Sequence, residues 1–402
     1  MPSTLLVNHD TSALPAGARP GAEVQAFHQR LPGYRATPLR DVPALADACG
    51  VGRVLVKDES SRLGLPAFKI LGASWATYRM LVDRLGTEPS WSTLDELAAV
   101  VAAELGPLRL VTATDGNHGR AVARMARLLG LAATIYLPVG AAAARIDGIA
   151  GEGADVVEVP GTYEDAVAES ADAAADDVVV VSDTSWPGYE DTPRRVIEGY
   201  ATIFAEIDAQ VAELGARDEG DDGDDVEVTP DGVRVAAPTV LDVAVVPLGV
   251  GALGAAAGTW LRAGHEPGDG PLLLGVEPDT AACVAAAVAA GHLVEVPGPH
   301  RSIMAGLNCG LASILALPTV IATFDALVAV DDDRARAAIR AMADAGLDVG
   351  ETGAASLAGL MAVVDEHRGT LPVPADATVL LIATEGVTDP VNFERIVGRP
   401  PR

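Results

Sequence analysis

Only two of the 402 residues are lysine, Lys57 and Lys69, and the rest of the basic charge is arginine. Cysteine is almost as scarce. Cys49, Cys283 and Cys309 are odd in number, far apart and in no metal-ligand spacing, which argues against a disulfide framework or a cysteine metal centre and fits a reducing cytoplasm. Positive charge is heavily outweighed, with a formal net charge of −28. Such a surface repels phosphate backbones and anionic lipid, so neither nucleic acid nor membrane is expected as a partner. The first residues, "MPSTLLVNHDTSALPAG", lack the basic start and apolar run of a signal peptide. One uncharged stretch, residues 243–261 "VAVVPLGVGALGAAAGTWL", is long enough to span a bilayer. Pro247 and its glycines make a poor membrane helix, and strand, glycine turn and buried helix is the expectation.

What the chain has in quantity is apolar and patterned. Hydrophobic residues make up 49%, and the length predicts two to three domains. Short β-branched runs alternate with helical patterns. Strands are expected at 53–59, 109–114, 132–138, 154–159, 177–184, 241–247, 272–277, 326–330 and 378–384. Helices are expected from Phe68 to Leu85, at 92–105 after a Ser/Thr start, at 117–130, from Tyr163 to Ala175 and from Thr192 to Leu214. Residues 33–52 read as a Pro-containing lead-in, and the acidic run at 216–236 as a solvated excursion. This alternation implies parallel sheets flanked by helices, in two lobes with a cleft between them.

Three stretches have chemical character. "LGVGALG", 248–254, follows a strand and opens a helix, so Gly249, Gly251 and Gly254 let backbone N–H groups approach an anionic oxygen where the helix start adds positive charge. With Glu277 ending the next strand, the same turn also fits a dinucleotide fold whose acid binds a ribose. "TATDGNHGRAVA", 112–123, crowds Asp115, Asn117 and His118 at the carboxyl end of a strand, where open α/β sheets bind ligands. Asp115 and Asn117 are also good capping residues, and His118 reads as a packing or helix-terminus residue. "PAFKILGAS", 66–74, starts a helix at Lys69. Unlike arginine, a buried lysine can lose its proton and act as a nucleophilic amine. Lys57, beside Asp58 and Glu59, reads as an ion-pair partner. An amine, a polar loop and a phosphate cradle together describe a pyridoxal-phosphate site.

"KDES", "GLPAFKILGAS", "ATDGNHGRAVA", "SDTSWPGYE", "GVGALG", "GVEP", "IMAGLNCG" and "TEGVTDP", in this order from about Gly33 to about Ile396, resemble the diaminopropionate ammonia-lyases. These are fold type II, tryptophan synthase β-like enzymes. The resemblance implies a two-lobed fold with the active site in the interlobe cleft, a large lobe of 1–71 and 188–402, and a small lobe of 72–187 carrying the "DGNHG" loop. It implies that pyridoxal 5′-phosphate bonds covalently to Lys69, that Asn117 binds its 3′-oxygen, and that Gly249, Val250, Gly251, Ala252 and Leu253 contact its phosphate. Thr384 would meet the pyridine nitrogen. Asp115 and Asp183 would be the acids that take the Cα proton, from the D- and L-isomers respectively. A homodimer is also implied.

The activity expected is elimination from 2,3-diaminopropionate to pyruvate and ammonia, an amino-acid catabolic reaction. The alternatives are a pyridoxal-phosphate dehydratase acting on serine or threonine, an NAD-dependent oxidoreductase, and a non-catalytic binder of an anionic metabolite. Dehydratase relatives carry a small neutral residue where this chain has Asp115. This chain departs from the family in "LASILALP", 311–318, and in Val387, where members commonly carry Asp.

Overall fold

The structure is a computed structural model that describes residues 2–114, 116–218, 226–228, 234–236, 240–266 and 268–402. In chain order its strands are β1 (Thr4–Val7), β2 (Leu39–Asp41), β3 (Arg53–Asp58), β4 (Arg109–Ala113), β5 (Ala132–Pro138), β6 (Asp155–Val159), β7 (Val178–Val180), β8 (Val226–Val228), β9 (Arg234–Ala236), β10 (Val243–Pro247), β11 (Leu272–Pro278), β12 (Ala326–Val330) and β13 (Thr378–Ala383). The larger sheet runs β1-β12-β11-β10-β13-β3-β2 and the smaller β6-β5-β4-β7. All pairings inside them are parallel except the two outermost of the larger sheet, β1 on β12 and β2 on β3. The smaller sheet therefore comes from one continuous stretch, and the larger closes around it from both ends of the chain.

Parallel strands with helices on both faces are buried on both faces, which is why they read as unbroken apolar runs. In β10 every residue is buried. Val243 and Val245 face one core with Ala338, Ile339 and Leu357, and Ala244 and Val246 face the other with Ala257, Val284 and Phe324. Local sequence closes several helices as expected. Thr93 and Glu96 form a reciprocal capping box for Leu94–Leu105, and Thr162 and Asp165 do the same for Tyr163–Asp172. The stretch 243–261 is strand, turn and helix, and among the described residues no helix is long and apolar enough to cross a membrane.

Four expectations change. The two antiparallel edge strands β1 and β2 were absent from the sequence reading, since each is too short to show alternation. The strand expected over 177–184 is only Val178–Val180, pairing on one side with β4. The helix expected from Thr192 to Leu214 is two, Asp191–Gly199 and Ala201–Asp218, divided at Tyr200. Lys57 does form an ion pair, but across the fold with Glu206 at 2.7 Å rather than with its sequence neighbours. Asp58 is taken by Arg40 and Glu59 by Arg62. Most of the acidic run 216–236 lies outside the described residues.

Candidate active site

Lys69 reaches the cleft because the chain before it is pinned to the end of β13. Gly386 N donates to Pro66 O at 2.9 Å and Phe68 N to Thr384 O at 3.4 Å. The helix Ile70–Leu85 then begins at the carboxyl edge of the larger sheet, with Lys69 as its first flanking residue. From the smaller lobe, Asp183 follows β7, and its Oδ2 accepts from Lys69 Nζ at 2.6 Å. The two groups hold each other's charge. Burial opposes charge on Lys69, yet the Asp183 carboxylate outweighs it and raises the amine above its ordinary range. Burial likewise opposes the Asp183 anion, but His118 and Lys69 together hold its carboxyl well below the ordinary range.

Asn117 and His118 open the helix Asn117–Leu128. The loop before it is shaped by Thr114, whose hydroxyl accepts from Gly116 N at 2.9 Å and Gly119 N at 3.0 Å. His118 Nε2 lies 2.8 Å from Val181 O. A carbonyl only accepts, so Nε2 carries a hydrogen. Nδ1 has no hydrogen-bond partner among the described residues and lies 3.9 Å from Asp183 Oδ2. Burial is the largest influence on this imidazole and lowers its pKa, with the nearby Asp183 carboxylate acting the other way. Asp115 lies outside the described residues.

Across the cleft the helix Ala252–Arg262 points its start at the same space. Its first N–H groups have no intrahelical acceptors and sit at the positive end of the helix dipole. Gly251 has φ +98°, and a Cβ on Gly249 would approach Gly306 O to 3.1 Å. The turn therefore needs glycine at 251 for its backbone angle and at 249 for its close neighbours, while at Gly254 a Cβ would meet Leu248 Cδ2 at 2.4 Å, so this glycine packs helix against strand.

The cavity enclosed is about 820 Å³ including its mouth. Lys69, Asn117, Asp183, Gly249, Val250, Gly251, Ala252, Leu253 and Thr384 all line it. Thr384 Oγ1 donates to Thr352 O at 3.2 Å. His118 lines it too, buried in the first turn of its helix as the packing or helix-terminus residue expected. Arg145, Tyr163, Cys309, Thr352 and Glu385 also line it; Cys309 and Glu385 lie inside the quoted "IMAGLNCG" and "TEGVTDP" but were given no role, and no motif covers the other three. Glu277 is a correction to the dinucleotide alternative. It is absent from the cavity wall, 1% exposed, and its two oxygens cap the helix Cys283–Ala290 by accepting from Val284 N and Ala285 N at 2.8 Å each.

Pyridoxal phosphate fits this donor set. Its aldehyde needs a lysine amine, its phosphate a cradle of N–H groups at a helix start, and its ring oxygen a neutral donor; Lys69, the 249–253 turn and Asn117 face one cavity.

Comparison with known proteins agrees. The family described as pyridoxal-phosphate dependent enzyme matches residues 30–385. The chain is similar to the diaminopropionate ammonia-lyase of Escherichia coli K12, at 33% identity over 383 residues, 92% of this chain and 89% of that one. It is 34% identical over 393 residues to the Salmonella typhimurium enzyme, covering 94% and 91%. The solved Escherichia coli diaminopropionate ammonia lyase in complex with D-serine matches with a TM-score of 0.85 and 29% identity, over 98% of this chain and 96% of that one. With the family match running over most of its length and relatives a third identical across more than nine-tenths of it, the chain belongs to the pyridoxal-phosphate-dependent enzyme family.

Proposed function

We propose that this protein is a diaminopropionate ammonia-lyase, converting 2,3-diaminopropionate to pyruvate and ammonia. The observation that carries the reading is the Lys69–Asp183 contact, an amine and a carboxylate 2.6 Å apart in a cleft backed by a helix-start anion cradle. When bound, pyridoxal phosphate withdraws electrons from the substrate's Cα and makes its proton removable. The turn 249–253 would hold the phosphate, Asn117 would donate to the ring oxygen, and Thr384 would meet the pyridine nitrogen. Lys69 is the point of attachment.

Removal of the Cα proton needs a base on the correct face. Asp183 Oδ2 loses its lysine partner once that amine is engaged elsewhere, so the carboxylate becomes a stronger proton acceptor. It takes the proton from the L-isomer, and Asp115 does so for the D-isomer. The Cβ–N bond then breaks and the β-amino group leaves as ammonia. The unsaturated amino acid that remains takes up water to give pyruvate and a second ammonia.

The reading includes a homodimer in the cytoplasm and the division into a lobe of 1–71 with 188–402 and a lobe of 72–187. Sedimentation and limited proteolysis test these points. The principal experiment measures pyruvate release from D- and L-diaminopropionate beside D- and L-serine. Diaminopropionate is expected to be the faster substrate, and Lys69→Ala to lose both turnover and the visible absorbance of covalently held cofactor. Serine outpacing diaminopropionate in both configurations would replace this assignment by the dehydratase one.

A further inference from the structure

Glu385 lines the cleft without any part in the chemistry described above. It follows Thr384 beyond the end of β13, is 2% exposed and shares the cavity wall with Asn117. Its backbone is fixed from two sides, by antiparallel bridging to Ala67 and by Gly350 N, which donates to its carbonyl at 3.3 Å. Carboxylate Oε1 accepts from Thr352 N at 3.1 Å. Oε2 accepts from Nδ2 of Asn117, which arrives from the other lobe.

A primary amide has two ends of opposite character, an oxygen that accepts and a nitrogen that donates twice. A carboxylate only accepts, so it holds the nitrogen end and repels the oxygen end. One Nδ2 hydrogen is committed to Glu385, and the other stays available to a ligand in the cavity. Without the carboxylate the amide can rotate half a turn and present an acceptor instead. We infer that Glu385 is a positioning residue, locking the Asn117 amide across the lobe boundary so that the oxygen of the bound cofactor's ring meets a donor. This rests on the reading that Asn117 hydrogen-bonds that oxygen. The same bond makes the donor's placement depend on the two lobes being in register, since Glu385 follows β13 of the larger sheet and Asn117 opens the helix after β4 of the smaller.

The test compares E385Q, N117A and the double variant as holoenzymes, each checked for folding by circular dichroism. The readouts are the absorbance spectrum of bound pyridoxal 5′-phosphate and its dissociation constant from equilibrium dialysis. Glutamine has glutamate's shape and can still accept from Thr352 N through its carbonyl oxygen, but its amide then faces the amide of Asn117. E385Q is expected to change the visible spectrum and weaken retention roughly tenfold, the scale of one charge-assisted hydrogen bond. In the N117A background it adds nothing, because the two residues act as one unit. E385D, which keeps the charge, recovers part of the wild-type spectrum and carries the test if E385Q does not fold. Equal losses from E385Q in both backgrounds would assign Glu385 to Thr352 alone and overturn the inference. An altered N117A with an unaltered E385Q overturns it while leaving the Asn117 contact standing. An N117A indistinguishable from wild type removes that contact and the inference with it.

Discussion

Asp183 both restrains Lys69 and is restrained by it, and the two consequences can be separated. With the carboxylate gone, burial acts on the Lys69 amine without its opposing partner and lowers the amine's pKa. Asp183→Asn is therefore expected to take up pyridoxal 5′-phosphate faster near neutral pH, since more of the amine is unprotonated. Its turnover of L-diaminopropionate should nevertheless fall by at least about a hundredfold, the usual scale of a lost general base. Stopped-flow reconstitution and a pyruvate assay read the two effects, and slower uptake would contradict the electrostatic account. At this scale the sequence was informative where a motif gathers residues locally. Lys69, Asn117 and the 249–253 turn were legible for that reason. Arg145 and Tyr163 were not, since each enters the cavity from a separate loop or helix start and has no neighbour pattern of its own; Glu385 stands next to Thr384 inside "TEGVTDP", but nothing local says that its partner is Asn117.

The helix that begins at Lys69 is placed by a close crossing with Asp191–Gly199. A Cβ on Gly199 would lie 2.6 Å from Leu71 O and 2.8 Å from Gly72 Cα. Both are backbone atoms that cannot turn aside. Gly199→Ala is expected to cost roughly 1–3 kcal/mol as the helices separate, read as a lower unfolding midpoint in urea with an unchanged slope. It should also weaken cofactor attachment, because the displaced helix carries Lys69. The central strands were readable in advance because burial on both faces makes continuous apolar runs. The edge strands β1 and β2 and the division at Tyr200 were not, because they are set by distant partners: Thr4 pairs with Ala329, and Gly199 meets Leu71.

Charge buried far from the cavity joins the amino-terminal segment to the helix Ala201–Asp218. Glu206 accepts from Lys57 at 2.7 Å and from Arg62 at 2.6 Å, and all three side chains are at most 1% exposed. Glu206→Ala leaves Lys57 without its anionic partner in the interior and should cost about 3–5 kcal/mol, measurable by urea denaturation. His28 adds a pH dependence. It is fully buried, with Nε2–H donating to Leu71 O at 2.9 Å and Nδ1 facing Thr202 Oγ1 at 2.7 Å. Burial pushes its pKa from 6.5 down to about 3. Below about pH 6.5 the unfolded chain takes up a proton that the native histidine refuses, so stability falls as pH drops from there toward about 3. His28→Gln should flatten that slope in denaturation curves taken across the window, and an unchanged slope would place the acid sensitivity elsewhere.

The sequence by itself determined the alternating α/β plan, the glycine turn at 249–254 between strand and helix, and a lysine at the start of a helix. Each is a local matter of backbone freedom, periodicity and side-chain chemistry within a few residues. Only the tertiary structure decided which carboxylate faces Lys69, that Glu277 caps a helix away from the cavity wall, and that Lys57 pairs with Glu206. Those outcomes depend on which charges share a desolvated interior, and burial brings together residues more than a hundred positions apart whose chain neighbours say nothing about them.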